Sequence, residues 1–240
     1  MTSGRNLAVF DFDWSLIEQD SDCWTIAKLS EDVLNKYITQ TGSQWTDVVD
    51  KALCELQDNG FTLDQFKQAL ETIPFTTFMI DALKMLKEHG TTVLILSDAN
   101  SFYIDTILKA YGVRDLVDDV ITNPAYFDEK NRLRVNRRIL ASSPPHQCQF
   151  RCAVNLCKGQ ELKNYINEKG PFQKVMYVGD GKNDYCPATH LREEDRMFER
   201  SDKSLARYLE DASVVAAIKA SITYWSSSEV VRDAIGTECL

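Results

Sequence analysis

The sequence predicts an α/β fold: a parallel sheet with helices on both faces, three layers in all, and a helical insertion after the first strand. Two observations predict it. Short apolar runs alternate with longer amphipathic segments, the pattern of strand–helix–strand units. In addition, the three clearest apolar runs, in "LAVFDFD", "TTVLILSDAN" and "QKVMYVGDGKND", each end in polar, chemically capable residues. Open parallel sheets gather ligands outside the carboxyl ends of their strands, so these three ends mark one candidate site.

The elements follow in order. "LAVF" is a buried strand of ordinary length. From Ser21 to about His89 the pattern turns helical. "DSDCWTIAKL" opens on N-cap residues, and "QWTDVVDKALCELQDNG" spaces its apolar residues by three and four before Asn-Gly. "TLDQFKQALETIP" begins at a Thr cap and stops before Pro74, and "FMIDALKMLKEHG" closes at Gly90. "TVLIL" is the second strand, followed by the helix "SFYIDTILKAYGV". "DVITNPAYFDEKNRLRV" reads as a strand and then a hairpin around "DEKN". A Pro- and Cys-rich loop leads to the helix "KGQELKNYINEKG" and the third strand, and "SLARYLED" and "VVAAIKASITYW" read as helices. The block between the first two strands exceeds one crossover helix. It predicts a helical cap over residues 21–90, with a Rossmann-like core built from 1–20 and 91–240.

Composition narrows the partners. The chain has 240 residues, 44% hydrophobic and 26% charged, an ordinary globular balance. A formal charge of −9 argues against nucleic acid or an anionic membrane surface as partner, and leaves room for a small anionic substrate. No stretch approaches the roughly 20 apolar residues of a membrane span, and the first ten residues hold too short an apolar run for a secretory signal. Seven cysteines without such a signal point to reduced thiols and a cytoplasmic setting.

Asp11 and Asp13 flank one residue at the end of the first strand, and like charges there repel unless a cation or a reaction uses them. With the carboxylate of "GDG" they form a hard-oxygen set suited to Mg²⁺. A carboxylate can attack phosphorus, and a second one two residues on can protonate a leaving oxygen. Ser97 can bond a phosphate oxygen and Lys158 can balance its charge.

"DFDWS", "SDAN", "CKG" and "GDGKND" stand in the order and spacing of the four motifs of haloacid dehalogenase-like phosphatases. With "QDSD", "PHQC", "NLCKG" and "GDGKNDYCP", nearly the whole chain resembles the phosphoethanolamine/phosphocholine phosphatase branch. That branch includes pyridoxal-phosphate phosphatases and plant pyrophosphatase-like enzymes. The resemblance implies a Mg²⁺-dependent phosphomonoesterase with an aspartyl-phosphate intermediate, acting on phosphoethanolamine or phosphocholine, or alternatively on pyridoxal phosphate, thiamine phosphate or pyrophosphate. It implies Asp11 as nucleophile and Asp13 as general acid/base. The metal would be held by Asp11, the Asp13 backbone carbonyl and Asp180. Ser97 and Lys158 would bind phosphate, Asp184 would orient its neighbours near Lys158, and Asp22 and Asp98 would contact substrate. Ser15 replaces the usual Thr with its hydroxyl kept, and Trp14 places bulk at a variable position.

Blander readings stand beside these. Ser97, Asp22 and Asp98 also fit helix caps. His146, Cys148, Cys152 and Cys157 form an H-x-C-x3-C-x4-C cluster of zinc-binding types, or a set of reduced thiols, since the spacing is not that of paired Cys-x2-Cys. Cys186 reads as packing, and His89 and His190 as surface residues. A receiver-like phospho-signalling module would be half this length and carry its aspartate on a middle strand. A P-loop would need G-x4-G-K-[ST], which is absent. A non-catalytic metal-binding module would not need the full set. A small phosphate ester is the expected partner, and the expected assembly is a monomer or weak dimer.

Overall fold

The computed structural model describes residues 5–40, 42–150 and 152–238. β1 (Leu7–Phe10) leads into α1 (Ser21–Leu29), α2 (Glu31–Ile38), α3 (Trp45–Asp58), α4 (Leu63–Glu71) and α5 (Thr77–Glu88). Next come β2 (Thr92–Asn100), α6 (Ser101–Ala110), β3 (Asp119–Asn123), β4 (Ala125–Phe127), β5 (Leu133–Val135), α7 (Lys158–Lys169), β6 (Val175–Gly179) and α8 (Tyr185–Ala188). β7 (Arg196–Arg200), α9 (Ser204–Tyr208), α10 (Ala212–Val215), β8 (Ser221–Trp225) and α11 (Ser228–Glu238) complete the chain.

Six strands form one parallel sheet in the order β3-β2-β1-β6-β7-β8. The strands at its centre are apolar on both faces because both are covered. Ala8, Phe10, Val93, Ile95, Met176 and Val178 face one core, packed by α5, α6, α11 and the inserted helices. Leu7, Val9, Leu94, Leu96 and Tyr177 face the other, packed by α7, α8 and α9. The fold is thus the three-layer α/β arrangement that the sequence predicts, and among the described residues no helix is long and apolar enough to cross a membrane.

The helical segment starts as its caps predict. Asp20 accepts from Cys23 N at 2.7 Å, and Thr62 with Gln65 forms a capping box that opens α4. α1–α4 pack on one another above the strand ends, whereas α5 packs on α11 and β2 in the helix layer of the core. We therefore propose a cap narrower than 21–90, ending before α5. The hairpin β4–β5 reaches back to the cap. Arg134 pairs with Asp50 at 2.6 Å, Arg137 pairs with Asp47, and the Gln57 amide bonds both backbone groups of Leu133.

The C-terminal quarter departs from expectation. "VVAAIKASITYW" is not one helix: its Ala- and Val-rich start ends α10, and "SITYW" pairs with β7 as the edge strand β8. The β-branched and aromatic residues at its end carry the strand preference, which the alanines mask. β7 went unread because its sequence, "RMFER", places charges at both ends of a buried strand.

Candidate active site

β1, β2 and β6 lie side by side at the centre of the sheet, so their carboxyl ends meet. Asp11 is the first residue past β1, and its N–H still donates to Val178 O on β6 at 2.8 Å. The next five residues form a tight turn rather than continuing the strand. Within it Trp14 takes φ +58°, a left-handed conformation costly for a bulky side chain. Three contacts hold it there. Trp14 N donates to Gln19 O at 3.3 Å, Arg200 Nη1 donates to Trp14 O at 2.8 Å, and Lys203 Nζ sits 3.3 Å from the ring centroid. The turn swings Asp13 round to accept from Ser21 N at 3.0 Å.

Lys158, the first residue of α7, is buried between two carboxylates, with Nζ 2.8 Å from both Asp11 Oδ2 and Asp184 Oδ1. Burial alone would pull its pKa down, but the charges of Asp11 and Asp184 outweigh it and hold the ammonium charged. Asp184 is wholly buried and fully occupied. Its Oδ1 accepts from Lys158 and from the Tyr177 hydroxyl at 2.7 Å, and its Oδ2 accepts from the N–H groups of Asp180 (3.1 Å) and Gly181 (3.0 Å). Gly179 makes this possible, since a Cβ there would lie 2.6 Å from Asp184 Cγ. Ser15 Oγ donates to Asp180 Oδ1 at 3.2 Å.

Asp11, Asp180 and Asp184 offer carboxylate oxygens within 4.8 Å of one another. Burial pushes Asp11 up despite Lys158, with Asp184 and Asp180 adding to the rise. Burial, and then the Asp184 charge, pushes Asp180 up to about 7. Three clustered carboxylates and one lysine leave negative charge uncompensated in a dry place. A hard divalent cation such as Mg²⁺ fits that donor set.

Asp22 and Asp98 line one narrow space between cap and core, with Thr46, Asn100 and Asn123. Asp22 accepts from Trp45 Nε1 at 3.0 Å through Oδ2, while Oδ1 is buried without a hydrogen-bond partner. Burial and the Asp20 charge raise its pKa to about 8. Asp98 accepts from Asn155 Nδ2 at 3.0 Å and Asn183 Nδ2 at 2.7 Å, one on each oxygen. Ser97 is buried at the end of β2, and its Oγ accepts from Ala99 N at 3.1 Å.

The sequence reading missed several neighbours. Trp45 offers no motif signal, and Asn155, although it opens "NLCKG", stands 57 residues from the Asp98 carboxylate that it holds. Glu199 closes β7, fully buried and raised to about 7 by burial and Asp180. Arg200 bonds Glu18 at 2.8 Å as well as the Trp14 carbonyl. A charged pair ending the apolar "MF" was the available signal for both.

The sulfurs that come together differ from the set expected as a zinc site, His146, Cys148, Cys152 and Cys157. His146 stands apart, its Nε2 2.9 Å from Ala153 O. Cys186, read from sequence as packing, takes its place: the sulfurs of Cys148, Cys152, Cys157 and Cys186 lie within 4.8 Å of one another. The fourth sulfur comes from α8, 29 residues further on than Cys157, so local spacing could not reveal it.

The family model described as "Putative Phosphatase" matches residues 6–237. Pyridoxal phosphate phosphatase PHOSPHO2 of Mus musculus is 36% identical over 233 residues, 92% of this chain and 93% of that protein. The thiamine phosphate phosphatase-like protein of Arabidopsis thaliana is 33% identical over 225 residues, 92% and 90% of the two chains. In fold, the chain is similar to a substrate-bound phosphoserine phosphatase, with a TM-score of 0.63 and 14% identity over 97% and 98% of the chains. The chain belongs to the haloacid dehalogenase-like phosphatases, in the family that this model defines.

Proposed function

We propose that the protein is a Mg²⁺-dependent phosphatase that hydrolyses a small phosphomonoester through an aspartyl-phosphate on Asp11. The observation that carries this is the cluster of Asp11, Asp180 and Asp184 at the carboxyl ends of β1 and β6, with Lys158 buried between Asp11 and Asp184. Asp11, Asp180 and the backbone carbonyl of Asp13 would hold Mg²⁺, which when bound offsets charge on the phosphoryl oxygens.

An Asp11 carboxylate oxygen attacks phosphorus while the bond to the leaving oxygen breaks, and Asp13 gives that oxygen its proton. Asp13, now ionised, takes a proton from water. The water oxygen attacks phosphorus, and Asp11 leaves as carboxylate with inorganic phosphate released. Lys158 and the Ser97 hydroxyl position the phosphoryl oxygens, and Asp184 keeps Lys158 aimed at them.

The leaving group would meet Asp22. Its unpartnered Oδ1 supports a substrate bearing a positive or N–H donor group at that end, phosphoethanolamine first, with phosphocholine, pyridoxal phosphate, thiamine phosphate or pyrophosphate as alternatives. A cytoplasmic location belongs to the same reading, supported by six described cysteines that are all free thiols.

The test is Asp11→Asn, nearly isosteric but neutral, assayed on p-nitrophenyl phosphate with and without Mg²⁺. Turnover should fall by several powers of ten, at least ~10³-fold, with the fold intact. Chelation should abolish wild-type turnover, Mg²⁺ should restore it and Ca²⁺ should not. A well-folded Asp11→Asn protein with substantial activity would sink the proposal.

A further inference from the structure

We infer that Cys148, Cys152, Cys157 and Cys186 form a tetrathiolate site for one structural Zn²⁺, which clamps the loop before α7 to the turn that carries Asp184. Cys148 Sγ lies 3.5 Å from both Cys152 Sγ and Cys186 Sγ, and Cys157 Sγ lies 3.8 Å from Cys186 Sγ. With Zn–S bonds of ~2.3 Å, the edge of a tetrahedron of sulfurs is about 3.8 Å, so the four atoms already stand near the corners of a single-ion site. Sulfurs this close leave no room for a sulfide-bridged iron cluster. They are also too far apart for disulfides, and all four are free thiols.

The surroundings are those of a closed site. Cys157 and Cys186 are buried, Cys148 and Cys152 half-buried. Gly159 lets Cys186 in: a Cβ there would stand 2.4 Å from that sulfur.

Placement gives the metal its role. Cys157 immediately precedes Lys158, and Cys186 follows Asp184 by two residues. One ion would therefore tie together the two backbones whose side chains make the buried Lys158–Asp184 bridge. It stands outside the reaction, and the inference holds whether or not the proposed substrate is right.

The full-length protein, expressed with zinc supplied and purified without chelator, is assayed for metal by elemental analysis. We expect about one zinc per chain, released by p-hydroxymercuribenzoate, and a Co²⁺-substituted form with thiolate-to-metal charge-transfer absorption. Cys148→Ser and Cys186→Ser should each lower zinc to below about a tenth of that, while His146→Ala keeps it. If the serine variants do not fold, wild-type stoichiometry and the Co²⁺ spectrum decide. Folded wild-type protein without zinc, iron in its place, a disulfide within the set, or zinc lost with His146 would each overturn the inference.

Discussion

Replacing Asp184 by Asn keeps the shape of the side chain and removes its charge and one acceptor. Asp184 accepts four hydrogen bonds, two on each oxygen, in a place without water access. An amide has one oxygen. Turned toward Lys158 and Tyr177, its NH₂ faces the N–H groups of Asp180 and Gly181; turned the other way, it faces the lysine. Two buried donors lose their acceptor either way, at about 1–3 kcal/mol each. Breaking a buried ion pair by removing one partner costs ~3–5 kcal/mol, which agrees with the sum of those losses. With a urea slope of about 3 kcal/mol/M, the unfolding midpoint should fall by 1 M or more. Since Lys158 then answers to Asp11 alone, kcat/KM on p-nitrophenyl phosphate should fall by about 10–100-fold. Tyr177→Phe calibrates the scale: it removes one of the four bonds, leaves the charge, and should cost only ~1.5–3 kcal/mol. An Asp184→Asn protein with an unchanged midpoint and kcat/KM within about twofold would refute the reasoning, because orienter effects are larger than that.

Three further outcomes follow. Asp22→Asn should lose about 1.5–3 kcal/mol on phosphoethanolamine, the range for a charged hydrogen bond, and little on p-nitrophenyl phosphate. Asp98→Asn should lose equally on phosphoethanolamine, p-nitrophenyl phosphate and pyrophosphate, since both of its oxygens hold protein amides; the two variants measured side by side on this panel separate recognition from positioning. The Asp128 carboxyl is held at about 2 by the Arg132 backbone N–H, then by the Arg132 guanidinium and the Lys130 N–H. A depressed folded pKa means that its contribution is present above the unfolded value near 3.9 and is lost as pH falls toward 2. A side-chain NMR titration with its midpoint near 4 would contradict the hairpin contacts.

The site was legible because its residues sit at the ends of strands that announce themselves. "LAVF", "TVLIL" and "VMYV" are buried on both faces, and such runs show in one dimension. Once they are placed side by side, Asp11 and Asp180 need no further information to meet. Lys158 and Asp184 came from the order and spacing of the motifs. β7 and β8 escaped for the opposite reason: "RMFER" buries charge, and "SITYW" follows an alanine-rich stretch with a different preference.

What holds the site in place was not legible, because it is made of single pairs across long separations. Trp45 reaches Asp22 over 23 residues, Asn155 reaches Asp98 over 57, and Arg200 reaches the Trp14 carbonyl over 186. No periodicity or motif ties one member of these pairs to the other, and each pair becomes visible only once the fold sets its members side by side. The same holds between cap and core, where the hairpin arginines meet Asp47 and Asp50 across 84 to 90 residues. These pairs are partly exposed, so each contributes at most about 1 kcal/mol. The inserted helices are fastened chiefly by packing: Ile26, Val48, Leu53, Phe66 and Leu70 belong to the same buried cluster as Phe10 and Ile95 of the sheet. On the proposed reading the chemistry at Asp11 and Lys158 sits at the sheet ends, while Asp22 stands on α1 of the inserted helices. Asp98 lies across the same narrow space, held by amides of the core. On the proposed reading, substitutions at Asp22 should change substrate choice and substitutions at the sheet ends should change hydrolysis of every substrate, and the substrate panel separates the two.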